Sequence, residues 1–229
     1  MRRPLHRLSF ITAVILASGL QGLAQADPVT LNTTFPGRGW FAETGLHDPL
    51  TDNTYTGISC CPNGINLNSF FIWDVQALTG KQVTSAVLRL GQDFQTQAGL
   101  ETVEIHDVLS NRSALIAGYD SGSLAGTSIY DDLQSGSLYG TFHTSGPGIL
   151  DIRLNRFAIA DLNGRLARGE TDFAVGLHLT TGSGALDGVK FDGLQEITLS
   201  TAPEPSTVWL LATGIVGLAG RKRLRRPSR

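Results

Sequence analysis

The stretch Leu150-Asp-Ile-Arg-Leu154 alternates apolar and charged side chains, with Leu150, Ile152 and Leu154 in one phase and Asp151 and Arg153 in the other. Successive side chains of a β-strand point to opposite faces, so this period of two predicts a strand with one buried face and one face in water. Such half-buried strands are typical of antiparallel sheets.

Other stretches carry strand signals of the same kind, at residues 70–75, 86–90, 102–106, 173–179 and 197–199. Residues 155–167 differ, because their apolar side chains are spaced as in a helix and Asn155 is a suitable N-cap. Clusters of Gly, Asn and Ser separate these stretches, as turns require. The sequence therefore predicts an all-β fold, an antiparallel β-sandwich resembling a jelly roll, with one short helix.

Residues 1–26 have the three parts of a secretory signal peptide: a basic start, a short apolar run and a small-x-small site. The small residues are Ala24 and Ala26, and we expect signal peptidase to cleave after Ala26. Residues 27–202 then form the folded domain, and residues 203–229 form a separate tail.

The domain is strongly acidic, although the whole chain carries a net charge of only −2. Residues 27–204 contain nine Lys and Arg against all 20 Asp and Glu of the chain, which gives this region a net charge of −11. A surface of this charge repels phosphate backbones and anionic lipid, so we expect no nucleic acid partner.

The tail has three consecutive parts: a short Pro-Glu-Pro-Ser sequence, an uncharged apolar segment and a basic cluster. These parts are Pro203, Glu204, Pro205 and Ser206, then residues 207–220, then residues 221–229, which begin with Arg221, Lys222 and Arg223. The apolar segment predicts a transmembrane helix with the basic cluster as the cytoplasmic stop. Its 14 residues reach only ~21 Å of the ~30 Å hydrocarbon core, so the predicted anchor is marginal and suits a temporary hold in the inner membrane.

This tail resembles the PEP-CTERM sorting signal of exported proteins in exopolysaccharide-forming Gram-negative bacteria. The matching parts are residues 203–206, the apolar helix and the Arg-rich end. The resemblance implies that a membrane-embedded protease, an exosortase, recognises the motif and removes the tail near Pro203-Glu204-Pro205. It also implies delivery of the domain to the cell surface or to an extracellular biofilm matrix.

Parts of the domain resemble two further groups of proteins. Residues 69–75 and 83–90 look like the opening of DNRLRE-type, carbohydrate-binding-like β-sandwiches, and residues 149–154 and 172–179 are similar to their later half. Residues 39–45 resemble the start of a group of uncharacterised PEP-CTERM proteins. These resemblances concern core positions, so they support the fold more than a function.

The chain has two cysteines, Cys60 and Cys61, and they are adjacent. Three interpretations stay open for an exported chain: a vicinal disulfide, cross-links between chains, or reduced thiols. No histidine or second cysteine pair stands at metal-binding spacing beside them, so we expect no metal there.

The sequence shows no GxSxG elbow and no HxH or HExxH spacing, and therefore no signature of Ser-His-Asp or zinc catalysis. His106 and His178 fall in the outward phase of strands, which favours solvated side chains. Asp187 and Asp192 flank a Gly-rich stretch and could contribute oxygen ligands to Ca²⁺, but a solvated acidic loop is favoured. We expect no cofactor and no metal.

Trp40 and Phe41, flanked by glycines, are the best candidates for an exposed aromatic pair that stacks on sugar rings, although capping of the sandwich is favoured. Three functions remain in order of preference. The first is a non-enzymatic envelope or matrix protein sorted by exosortase. The second is a glycan-binding module for exopolysaccharide, and the third is an enzyme acting on polysaccharide.

Overall fold

Ten antiparallel β-strands and three α-helices make up the part of the chain described by the computed structural model, residues 27–33, 35–59, 64–95, 99–181 and 187–202. The strands are β1 (Val29–Asn32), β2 (Arg38–Ala42), β3 (Thr54–Ile58), β4 (Asn66–Asp74), β5 (Val83–Gln95), β6 (Glu101–Asp107), β7 (Leu138–Thr144), β8 (Gly148–Arg153), β9 (Asp172–Leu179) and β10 (Asp187–Thr201). The helices are α1 (Arg112–Leu115), α2 (Leu124–Asp132) and α3 (Arg156–Ala167). The prediction of an all-β antiparallel fold is confirmed.

All ten strands belong to one hydrogen-bonded sheet rather than to the two separate sheets of the predicted sandwich. Its strand order is β7-β6-β9-β4-β3-β10-β5-β8, with β1 added on β10 and β2 on β4. The reason is the length of β10, whose first residues pair with β3 while Glu196–Leu199 pair with β1. Gly193, at a φ of 73°, interrupts the extended backbone between these two parts.

The sheet folds over so that its two ends share one hydrophobic core. Side chains from the outermost strands, Phe142 on β7 and Ile152 on β8, belong to the same buried cluster as Leu88, Val103 and Val175. The predicted alternation at residues 150–154 therefore holds, with Ile152 and Leu154 buried and Asp151 and Arg153 exposed. The core is closed by apolar burial between strands that are distant in the sheet order.

A second core lies on the opposite face of β4 and β9, where α1 and α2 cover the sheet. It contains Phe70 and Ile72 from β4, Ala174 from β9, and Leu115 and Ile129 from the two helices. The prediction of one short helix is wrong for the described residues, because the central strands are apolar on both faces and need this cover. The predicted helix itself is confirmed as α3, with the Asn155 side chain accepting from the backbone N–H of Phe157 and Ala158.

Residues Pro28–Ser200 form one compact unit. None of the helices in the described ranges has the length and apolar character needed to cross a bilayer. The membrane helix predicted for residues 207–220 lies outside those ranges.

Candidate functional site

The structure separates the two aromatic side chains predicted to stack on sugars. Trp40 and Phe41 are neighbours on β2 and point to opposite faces of the sheet. Phe41 is fully buried and stacks on the imidazole of His47 at a centroid distance of 4.4 Å. Trp40 is half-buried, and its Nε1 donates to Oδ1 of Asn53 over 2.9 Å. The interpretation as an exposed pair, which was the less favoured one, is therefore wrong, and of the two side chains only Trp40 offers any surface to a ligand.

His106 and His178 were expected to be solvated, and this is also wrong. His106 is only 7% exposed and His178 is half-buried. His106 lies opposite Gly176 in the pairing of β6 with β9, and the backbone of Leu133, just after α2, packs directly on Gly176. The helix that the sequence analysis missed therefore covers the strand face on which both histidines lie.

These histidines form a polar cluster with Glu104 and Asn68. Nε2 of His106 donates to Oε2 of Glu104 over 3.2 Å. Asn68 donates from Nδ2 to the Tyr130 carbonyl, so its Oδ1 accepts from Nδ1 of His178 over 3.0 Å. Burial, and next the charge of His106, lower the pKa of His178, so its imidazole is neutral at pH 7 and can accept a proton at Nε2.

Two carboxyl side chains meet inside the fold. Glu101 begins β6 and Asp187 begins β10, and each is 4% exposed. Glu101 continues the inward phase of Val103, and Asp187 continues that of Val189, so both carboxyl groups extend the main core at its end. The two groups are close enough to interact, because the Asp187 carboxyl group contributes to raising the pKa of Glu101.

The surroundings of this carboxyl pair are polar. Oγ1 of Thr181 donates to Oε2 of Glu101 over 2.7 Å, and Nε2 of Gln95 lies 3.4 Å from Oε1 of the same side chain. Burial, and then the contact with Asp187, raise the pKa of Glu101. Glu101 therefore holds its proton more readily than an exposed glutamate, because its ionised form is buried beside a second carboxyl group.

The chemistry open to this pair is limited by its geometry. Glycosidases use two carboxyl groups that a sugar must reach, whereas Glu101 and Asp187 are each only 4% exposed. The oxygen atoms can instead share a proton or bind a hard cation. Asp192, the partner first considered for Asp187, is exposed and bonded to Lys190 over 3.1 Å. No group of three or more His, Cys, Asp or Glu side chains among the described residues is arranged to hold a metal ion.

A cleft of about 470 Å³ opens between α1, the end of α3 and the start of β9. Two ion pairs line it: Arg112 with Asp172 over 2.9 Å, and Arg165 with Glu170 over 3.6 Å. Apolar side chains, among them Leu115, are also part of its lining. The charges of these four side chains cancel, which suits a neutral ligand with hydroxyl groups.

Comparison with known proteins decides the nature of the tail. The family model for the PEP-CTERM protein-sorting motif matches residues 201–226. The chain carries a PEP-CTERM sorting motif. The resemblance of the tail is therefore confirmed. The motif implies export, cell-surface sorting and processing by exosortase.

Other comparisons add little to the PEP-CTERM assignment. No curated protein matches the chain. Among solved structures, a xylan-binding module, CBM15, is similar over 78% of this chain and 99% of its own, with 13% sequence identity and a TM-score of 0.32. A likeness this distant carries no argument about the function of the PEP-CTERM protein.

Several predicted sites of the PEP-CTERM protein lie outside the described residues and stay predictions. They are the cleavage site at Ala24 and Ala26, the cysteines Cys60 and Cys61, the motif Pro203, Glu204, Pro205 and Ser206, and the basic stop Arg221, Lys222 and Arg223.

The carboxyl pair is a further feature of the β-domain that the sequence did not predict. A signal was present, because Glu101 stands in phase with Val103 and Ile105, and Asp187 stands in phase with Val189 and Phe191. A charged residue in the inward phase of a strand is unusual and marks a buried polar group. That these two side chains lie close together could not be predicted from the sequence, because 86 positions separate the two residues.

Proposed function

We propose that this PEP-CTERM protein is a non-enzymatic component of the cell envelope or of the exopolysaccharide matrix. The observation that carries the proposal is the position of the motif relative to the fold. Thr201 is both the last residue of β10 and the first residue of the matched motif. The sorting segment thus follows the last strand without a linker, and the acidic β-domain is the cargo that processing would release.

The charge of the domain supports this role. With a net charge of −11 over residues 27–204, the domain stays soluble and is repelled by anionic lipid. In this proposal signal peptidase cleaves after Ala26, and residues 207–220 hold the domain at the outer side of the inner membrane. Exosortase then cuts near Pro203-Glu204-Pro205, and the charge favours departure from the membrane surface.

The sorting proposal is tested by replacing all three residues of Pro203-Glu204-Pro205 with alanine in a tagged full-length protein. The matched control is Pro227→Ala, a proline that lies beyond the matched residues. We expect the wild type and P227A to yield a shortened protein outside the inner membrane, identified by intact mass. The triple variant should keep its tail and stay with the membrane fraction. Equal amounts of shortened protein from all three would refute the proposal.

A second candidate function is binding of exopolysaccharide, and the cleft lined by Arg112 and Asp172 favours it. Paired donors and acceptors together with apolar side chains in the lining fit the hydroxyl groups and C–H faces of a neutral sugar. The test is retention of the full-length protein on polysaccharide from the producing cells. Replacing Arg112 and Asp172 together with alanine should abolish retention. The matched control removes Arg89 and Asp151, an exposed pair joined over 2.7 Å on β5 and β8. Absence of retention by the wild type excludes this candidate.

A further inference from the structure

We propose that Glu101 and Asp187 bind a divalent cation at the end of the main core, with calcium as the best match. This proposal is independent of the sorting function. It starts from the juxtaposition of inward-facing polar side chains on four strands, Gln92 on β5, Glu101 on β6, Thr144 on β7 and Asp187 on β10. Each continues the phase of an apolar core residue on its own strand.

The four side chains are next to one another as well as in phase. Thr144 is the direct cross-strand partner of Glu101. The hydroxyl of Thr144 donates to Oε1 of Gln92, and the carboxyl groups of Glu101 and Asp187 are close enough to interact electrostatically. All four residues are at least nine-tenths buried, so they form an internal polar layer rather than a solvated rim.

Gln92 supplies a second, independent sign of a ligand. Its amide is 95% buried and reaches the Thr144 hydroxyl beside Glu101, yet its Nε2 atom has no hydrogen-bond partner among the described residues. A buried amide group without a partner is costly. A half-turn of the amide keeps a bond to the Thr144 hydroxyl, now with Nε2 as donor, and presents Oε1 at the open position. An oxygen atom at that position can bind a cation.

The donor set selects the class of cation. Two carboxyl groups, an amide oxygen and threonine hydroxyls are hard oxygen ligands, which Ca²⁺ and Mg²⁺ prefer. Calcium tolerates irregular geometry, whereas Mg²⁺ demands a near-ideal octahedron and keeps several waters. A divalent ion also balances the charge of both carboxylates at once.

The experiment uses the full-length protein, freed of metal with a chelator, and measures thermal unfolding at pH 7 with and without CaCl₂. We expect the Tm to rise by about 5–10 °C at a calcium concentration near 100 times the Kd. MgCl₂ at the same concentration should give a smaller rise, and NaCl at matched ionic strength none. Calorimetric titration of the wild type should give one calcium per chain.

The variants Glu101→Gln and Asp187→Asn should lose the calcium response and keep a Tm without calcium close to that of the wild type, because each removes one of two repelling groups. Asp192→Asn, which changes an exposed carboxylate of the same strand, is the control and should respond fully. No binding in the wild-type titration overturns the proposal whether or not the variants fold. A full calcium response in folded E101Q also overturns it.

Discussion

The hydroxyl of Tyr139 on β7 donates a hydrogen bond of 2.8 Å to Oδ2 of Asp161 on α3. The same oxygen accepts from Nε of Arg165 over 2.7 Å, so one carboxylate joins the helix to the edge strand of the sheet. Burial, and then the bond to Asp161, raise the pKa of Tyr139, which keeps the hydroxyl protonated as a donor. This contact fixes α3 against the sheet at a point where the ring of Tyr139 is fully buried.

Tyr139→Phe should therefore lower the free energy of unfolding by about 1.5–3 kcal/mol, the range for a hydrogen bond to a charged group. Urea denaturation monitored by tryptophan fluorescence measures the change. Tyr119→Phe is the control, because the Tyr119 hydroxyl makes no hydrogen bond within the described residues, and its expected loss is below about 0.5 kcal/mol. Equal losses for the two variants would show that the Tyr139–Asp161 bond contributes nothing.

Gly176→Ala tests the packing of the segment after α2 on the sheet. A Cβ atom on Gly176 would lie 2.3 Å from the carbonyl oxygen of Leu133, a backbone atom that cannot move alone. We expect the free energy of unfolding to fall by about 1–3 kcal/mol. The backbone amides next to His106 should also exchange their hydrogens faster.

Gly164→Ala is the matched control for that substitution. Gly164 lies inside α3, and its added Cβ would meet only the flexible end of Arg168 at 3.4 Å. Alanine in place of glycine within a helix should raise stability by about 0.5–1 kcal/mol. Opposite signs for the two glycine variants are the expected result. A G176A protein as stable as the wild type would contradict the close contact with Leu133.

The aromatic pair on β2 gives a further comparison. Phe41 is fully buried between His47 and Phe70, so Phe41→Leu leaves a cavity and should cost about 1–3 kcal/mol. Trp40→Leu, on the half-buried side, should cost less, because mainly the bond to Asn53 is lost. Chemical denaturation of both variants measures the two losses, and a larger loss for Trp40→Leu than for Phe41→Leu would contradict this difference in burial.

How much of the fold could be predicted from the sequence depends on how far apart in sequence the interacting residues are. The strands around Leu88 and Ile152 and the cap at Asn155 depend on neighbouring positions, so period and residue type were enough. Helix α2 was missed because Leu124–Asp132 contains Gly126 and Thr127, which are weak helix formers, and the helix is stabilised by packing against β2 and β4. The double role of β10 depends on pairing with distant strands, which no local pattern encodes.

The candidate sites follow the same division. The sorting tail is a contiguous motif, and its match confirms what the residues indicated. The carboxyl pair joins residues from two strands far apart in sequence, and the burial of His106 depends on a helix that was not foreseen. A motif of consecutive residues could be recognised in the sequence, whereas a site assembled from residues far apart in sequence could not.

The unfolding free energy should fall as the pH drops below about 6.5, because burial lowers the pKa of both His178 and His47 from 6.5. Burial is the largest cause in each; the charge of His106 adds to it at His178, while Glu104 opposes it, and the Trp40 carbonyl opposes it at His47. In the unfolded chain these imidazoles bind protons near pH 6.5, whereas in the folded protein they bind them only at lower pH. The unfolded state therefore holds more protons in this window and is favoured as the pH falls.

The raised pKa of Glu101 acts in the opposite sense at more acidic pH, so the comparison must be made between variants. Urea midpoints at about pH 7.5 and about pH 5.5 should differ less for His178→Gln than for the wild type, while His143→Gln, at an exposed position of β7, should keep the wild-type difference. If H178Q and the wild type lose the same stability between the two pH values, the burial of His178 does not contribute to the acid sensitivity of the fold.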